Sequence, residues 1–196
     1  KARKLKTVVF DKTGTLTKGE PSVTDIVPFA SYKEKDVLRF AAIAEKGSEH
    51  PRAEAILNAA RQSEPDIPDT ESFEAIPGHG VKGSYENKGI LLGNRRLMQN
   101  EKVSIEQAEQ DIERLQAQGK TVMILAVNGK LSGVVAAMDT PKEHATEAID
   151  KLKNMGLDIV MLTGDNEITA QAIGKQLNID QVIANVLPWE KVNAIK

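Results

Sequence analysis

Apolar residues occur in short runs separated by polar breaks, and the spacing of the runs changes along the chain. The first run, Thr7-Val-Val-Phe10, has the length of a strand and ends at the polar loop Asp11-Lys-Thr-Gly-Thr15. Gly19-Glu-Pro21 breaks the chain, and Ser22 to Phe29 predicts another strand. Ser31 with Glu34 has the capping-box spacing for a helix of roughly Tyr32 to Glu45. Pro51 suits the first turn of a second helix reaching about Gln62, and the Pro- and acid-rich stretch Ser63 to Thr70 is a loop. Glycines then punctuate Glu74–Ile76, Val81–Tyr85 and Gly89–Leu92, the pattern of an antiparallel meander.

Ser104 with Gln107 predicts the next helix start, and Gly119 its end. Thr121–Val127 and Lys130–Met138 flank Asn128-Gly129, a strong hairpin signal. Thr140-Pro141 with Glu143 predicts a helix closed by Gly156. Strand Leu157–Leu162, loop Thr163-Gly-Asp-Asn166, a helix to about Leu177 and strand Val182–Ala184 follow. Residues 1–19 and 139–196 thus read as parallel strand–loop–helix units, and 20–138 as an antiparallel sheet with helices. The expected architecture is an α/β domain with an α+β domain inserted after its first strand.

Composition narrows the function. Lys plus Arg number 26 and Asp plus Glu 28, a formal charge of -2, and seven residues are aromatic. This argues against a nucleic-acid partner bound through a basic surface or stacking platforms. Cysteine is absent, so no disulfide framework or thiolate metal site is possible. His50, His79 and His144 are scattered and have no metal-ligand spacing. The longest unbroken apolar run, Val122 to Val127, falls far short of the ~20 residues of a membrane-spanning helix. The expectation is a soluble piece of a longer protein.

Asp11 stands at the carboxyl end of a predicted parallel strand, where open α/β sheets bind ligands, and a carboxylate there is a candidate nucleophile. A lone Asp in that place equally caps a turn. The full run Asp11-Lys-Thr-Gly-Thr15, continued by Leu16-Thr17, resembles the hallmark of the P-type ATPases. The resemblance implies a haloacid-dehalogenase-like phosphorylation domain (1–19 and 139–196) carrying an inserted nucleotide-binding domain (20–138). It also implies that Asp11 takes the γ-phosphate of ATP, and that Mg²⁺ is held by Asp11 and the main-chain carbonyl of Thr13.

Thr163-Gly-Asp-Asn166 is similar to the family's Thr-Gly-Asp segment, with Thr163 as phosphoryl donor and Asp165 as active-site support. Leu187-Pro-Trp-Glu-Lys191 resembles the segment ending in a catalytic lysine, here Lys191. Asp139-Thr-Pro-Lys142 resembles the family's hinge segment, where Asp139 orients the domains or the nucleotide; an acid before a capped helix is an equal reading.

Within the insert, Ser48-Glu-His-Pro51 resembles the signature of heavy-metal P-type ATPases, and Pro77-Gly-His-Gly80 and Gly93-Asn94 resemble their pocket segments. The resemblance implies that Glu49 and His50 orient the adenine, that Gly78 and Gly80 let backbone approach the nucleotide, and that Gly93 and Asn94 line the same pocket. Arg52 replaces the small or apolar residue usual after His-Pro.

The stretch Phe73 to Leu97 looks most like bacterial copper exporters, which implies Cu⁺ as the transported ion, bound elsewhere in the pump. The resemblance also implies membrane and actuator domains as partners, and a cytoplasmic location for this part of a cell-membrane protein. The family's GDGxND segment, which completes Mg²⁺ coordination, is expected beyond Lys196, so the fragment is expected to bind ATP but to be incomplete for turnover and hydrolyse it very slowly. Two rival readings are a soluble dehalogenase-like phosphatase and a nucleotide-binding fragment without turnover. Phosphatases of that class place a second acid two residues after the nucleophile, where this chain has Thr13.

Overall fold

A computed structural model describes residues 6–187 and 190; Pro188, Trp189 and Lys191 of the expected lysine segment lie outside the described residues. In chain order the elements begin with β1 (Thr7–Asp11), β2 (Ser22–Pro28), α1 (Glu34–Glu45), α2 (Pro51–Arg61), β3 (Ser72–Ile76), β4 (Gly80–Tyr85) and β5 (Lys88–Gly93). There follow α3 (Arg95–Asn100), α4 (Glu109–Ala117), β6 (Thr121–Val127), β7 (Lys130–Met138), α5 (Ala145–Asn154), β8 (Asp158–Leu162), α6 (Glu167–Gln176) and β9 (Gln181–Ile183).

The chain forms two compact units. The first takes in the described residues of Lys1–Glu20, Gln116–Gly119 and Asp139–Lys196, the second Pro21–Leu115 and Lys120–Met138. In the first, β1, β8 and β9 make a parallel sheet in the order β1-β8-β9. Asp11 is in register with Leu162, and Leu162 with Ile183, so the carboxyl ends of the three strands are level. Ala145 and Ile149 of α5, Ile173 of α6 and Leu16 close over Ile159 and Met161 of β8 to form the core.

In the second unit six strands form an antiparallel sheet in the order β2-β7-β6-β5-β4-β3. Met123, Leu125 and Val127 of β6 pack with α1 and α2. Val122, Ile124 and Ala126 pack with Leu97 and Met98 of α3 and with Ile112 and Leu115 of α4. A strand buried on both faces has no polar alternation, which explains the unbroken apolar run. The β6–β7 hairpin closes on Asn128 and Gly129, both at positive φ (50° and 71°), as a two-residue hairpin turn requires.

Three predicted helix starts are displaced. Helix α1 begins at Glu34, not Tyr32, and it is the Asp36 carboxylate that accepts the Lys33 amide (2.9 Å). A 3₁₀ turn, Glu106–Ala108, precedes α4, so Ser104 caps no helix. Helix α5 begins at Ala145, because residues 140–142 are drawn into extended pairing with residues 16–18. There the Lys18 amide donates to Thr140 O (3.0 Å) and the Lys142 amide to Leu16 O (2.9 Å). Helix α3 is not predicted by the sequence pattern. It starts where the Asn94 side chain accepts the Leu97 amide (3.1 Å).

Candidate functional site

The level carboxyl ends of the parallel sheet bring the Asp11 loop beside the turn that follows β8. Asp11 is half-buried, and its Oδ1 is shielded from solvent. The next side chain, Lys12, turns inward: it is 6% exposed, and its Nζ lies 2.7 Å from Asp165 Oδ2. Thr163, also buried, donates its hydroxyl to the same carboxylate oxygen (3.0 Å) and accepts the Asp165 amide (3.1 Å).

The turn is pinned from behind. Asn185 N donates to Asp165 O (2.8 Å) and Val186 N to Thr163 O (3.1 Å). Ahead of it, Asn166 caps α6 by accepting the Thr169 amide (3.1 Å). A buried ion pair persists only when its remaining lone pairs are satisfied, and the Thr163 hydroxyl contributes to this for Asp165.

The structure therefore brings Asp11, Thr163 and Asp165 together and adds Lys12, to which sequence reasoning gave no role. The strand register accounts for the meeting: parallel pairing of Asp11 with Leu162 sets residue 12 against 163–165. Thr13 is exposed on the loop. Lys191 lies outside the described residues.

In the second unit Gly78, Gly80, Gly93 and Asn94 meet at one corner of the sheet. Gly80 pairs with Gly93 across β4 and β5. Asn94 Nδ2 donates to Gly78 O (2.8 Å), and its backbone amide donates to His79 O (2.9 Å). The other end of the side chain, Oδ1, accepts the Leu97 amide (3.1 Å) and caps α3, so Asn94 ties the corner to the helix that follows.

Glu49 and His50 stand on a separate loop, both exposed. His50 caps α2, with Nδ1 accepting the Arg52 amide (3.2 Å), and the Arg52 guanidinium lies along the imidazole (3.3 Å to Nδ1). This loop abuts β3: a Cβ on Gly47 would stand 3.0 Å from the Phe73 ring.

A second missed residue is Glu45, at the end of α1. It is 7% exposed, and its Oε2 has no hydrogen-bond partner among the described residues. In the sequence it is the one acid closing the apolar run Phe40-Ala-Ala-Ile-Ala-Glu45. Burial pushes its carboxyl above the ordinary value of 4.5, against the opposing pull of Ser48 and Arg52. The folded unit thus holds this proton more tightly than the unfolded chain. The associated stability is full below the unfolded value and is lost as pH rises through the raised folded one. Glu45→Gln should remove that loss: its urea midpoint should exceed the parent's at pH 8 and converge with it near pH 4. Parallel pH profiles would show that the buried carboxyl carries no such penalty.

Residues 5–196 match the haloacid dehalogenase-like hydrolase family. The copper-exporting P-type ATPase of Bacillus subtilis (strain 168) is 45% identical over 195 residues, covering 100% of this chain and 24% of that protein. The chain thus spans about a quarter of the length of the curated relatives it matches. Among solved structures, a zinc-transporting PIB-type ATPase in the E2.Pi state superposes with a TM-score of 0.66 at 36% identity. That match covers 97% of this chain and 31% of that one. The catalytic domain of the CPx-ATPase CopB-B, described for its conformational changes upon nucleotide binding, gives a TM-score of 0.73 at 29% identity. It covers 98% of this chain and 66% of that one. The strand-end Asp11, the parallel sheet and the inserted antiparallel unit agree with these matches: the chain belongs to the haloacid dehalogenase-like hydrolase family, and its relatives include a copper-exporting P-type ATPase and a zinc-transporting PIB-type ATPase.

Proposed function

We propose that the chain is the ATP-hydrolysing part of a heavy-metal P-type ATPase that exports Cu⁺, with Asp11 as phosphoryl acceptor. The observation that carries this is the convergence of Asp11, the buried Lys12–Asp165 pair and Thr163 at the carboxyl ends of β1 and β8. An Asp11 carboxylate oxygen attacks the γ-phosphorus, the bond to the β-γ bridging oxygen breaks, and ADP leaves. Water then attacks the phosphorus of the acyl phosphate, releasing phosphate and restoring the carboxylate.

Such transfer depends on positioning and on neutralising spread negative charge. Lys12 supplies a fixed positive charge beside the nucleophile, partly spent on Asp165. The Thr163 hydroxyl, held by Asp165 in this structure, reaches a phosphoryl oxygen only by giving up that bond, and Lys191 is the further cation in this reading. The Asp11 carboxylate and the Thr13 carbonyl are both hard oxygen donors, which fits Mg²⁺, an ion that takes few protein ligands and completes its shell with water and phosphate. When bound, Mg²⁺ would offset phosphate charge.

The nucleotide is assigned to the second unit, at His50, Glu49, Gly78, Gly80, Gly93 and Asn94, with Glu45 added on geometry. Transfer therefore requires both units. Cu⁺ is favoured over zinc because the copper-exporting relative is the more similar of the two compared, at 45% against 36% identity. Among the described residues no helix is long and apolar enough to cross a membrane. The ion path is assigned to membrane domains of the full pump, with this part on the cytoplasmic side and an actuator domain as its other partner.

The test is incubation with γ-labelled ATP and Mg²⁺, followed by acid quench. Label that is stable to acid and released by hydroxylamine, as an acyl phosphate must be, is the expected result. Label that survives hydroxylamine, or none above background, refutes the assignment of Asp11.

A further inference from the structure

The loop after Asp11 folds back on itself around one buried hydroxyl. Thr17 is 0% exposed. Its Oγ1 accepts the Gly14 amide (3.3 Å) and lies 3.2 Å from Lys12 O and 2.5 Å from Asp139 Oδ2. The hydroxyl has a single proton, and a carboxylate is the stronger acceptor. Lys12 O is meanwhile served by the Thr17 amide (3.1 Å). The other oxygen of Asp139 accepts the Gly19 amide (3.0 Å). Lys142, three residues on, donates Nζ to Gly14 O (2.9 Å).

One carboxylate from 122 positions away along the chain thus grips the loop at two points, Thr17 and Gly19. Its alternative duty as a helix cap is excluded, because α5 starts only at Ala145.

We propose that Asp139 and Thr17 are positioning residues for phosphoryl transfer: together they hold loop 12–19 in the shape in which Asp11 accepts phosphate. This rests on the reading of Asp11 as acceptor. Both act through the loop backbone: the Thr17 hydroxyl holds the Gly14 amide and the Asp139 carboxylate holds the Gly19 amide. A misplacement of reacting groups by about 1 Å costs on the order of a hundredfold in rate.

The experiment compares Thr17→Val, which keeps shape and removes the hydroxyl, with Thr17→Ser and Asp139→Ala. Phosphoenzyme formation from labelled ATP is measured as rate at saturation and as half-saturating ATP, on protein verified as folded. Thr17→Val and Asp139→Ala should each lose roughly tenfold to a hundredfold in saturating rate with half-saturation unchanged, and Thr17→Ser should recover most of it. Amide hydrogen exchange on the same proteins should quicken about tenfold at Gly14 and Gly19 and stay unchanged in β8, as loss of a local hydrogen bond predicts.

Parent-like saturating rates in Thr17→Val and Asp139→Ala would overturn the proposal, and so would unchanged exchange at Gly14 and Gly19. A parent that takes no label at all refutes the role of Asp11 instead, and exchange then still decides whether Asp139 sets the loop.

Discussion

Asp11→Asn should abolish acid-stable phosphoenzyme, a loss on the order of 10⁴-fold or more, while ATP binding stays within about threefold of the parent. An amide is neutral and a poor nucleophile, so the covalent step has no alternative acceptor. The residues assigned to the nucleotide, from Glu45 to Asn94, lie in the other unit, where the substitution changes nothing. Calorimetric titration with ATP and quench labelling measure the two halves separately. A large loss of ATP affinity with the fold intact would mean that the nucleotide depends on Asp11. Label retained by the variant would mean that another residue accepts the phosphate.

The second large effect is on stability. A Cβ on Gly80 would stand 2.2 Å from Leu92 O and 2.5 Å from Gly93 Cα, at a φ of +145° that L residues rarely adopt. A Cβ on Gly93 would meet His79 O at 2.2 Å. These neighbours are backbone atoms of paired strands and cannot swing aside. Gly80→Ala and Gly93→Ala should each cost about 3 kcal/mol or more, a large share of a typical 5–15 kcal/mol. The control is Gly89→Ala, where the added atom has no neighbour within 4 Å. It should be neutral or stabilising by under about 1 kcal/mol. Urea unfolding of the three variants decides; a Gly80→Ala protein as stable as the parent would show that the strands can part there without penalty.

The two glycines show what sequence reasoning catches and what it misses. Their motif drew attention to them as approach points for a nucleotide. The structure adds that they already let β4 and β5 approach each other, which is invisible until Gly80 and Gly93 are known to be partners. The parallel and antiparallel halves, the hairpin at Asn128-Gly129 and the strand-end place of Asp11 were legible because each rests on local pattern. Helix α3 was not: of Arg95-Arg-Leu-Met-Gln-Asn100 only Leu97 and Met98 are apolar and buried, too few to set a period. Asp36 and Glu34 are both acids near one helix start, and the choice between them is made by the chain's entry at Lys33. Thr140-Pro141 carries a good helix-start signature, overridden by pairing with residues 16–18. The Lys12–Asp165 pair and the buried Glu45 depend on which side chains turn inward, which spacing alone does not report.

The pairing of Ser22 with Met138 at the ends of β2 and β7 bears on the order in which the chain acquires its shape. Strand β1 finds its partner β8 only after on the order of 150 intervening residues, a wide ring to close in a disordered polymer. Once the second unit has formed, its first and last strands lie side by side, and only about 30 residues of that ring remain loose. The entropic penalty of closure then falls by about 1.4 kcal/mol, roughly a tenfold gain in closure probability. In that order of folding the insert shortens the ring that its host has to close.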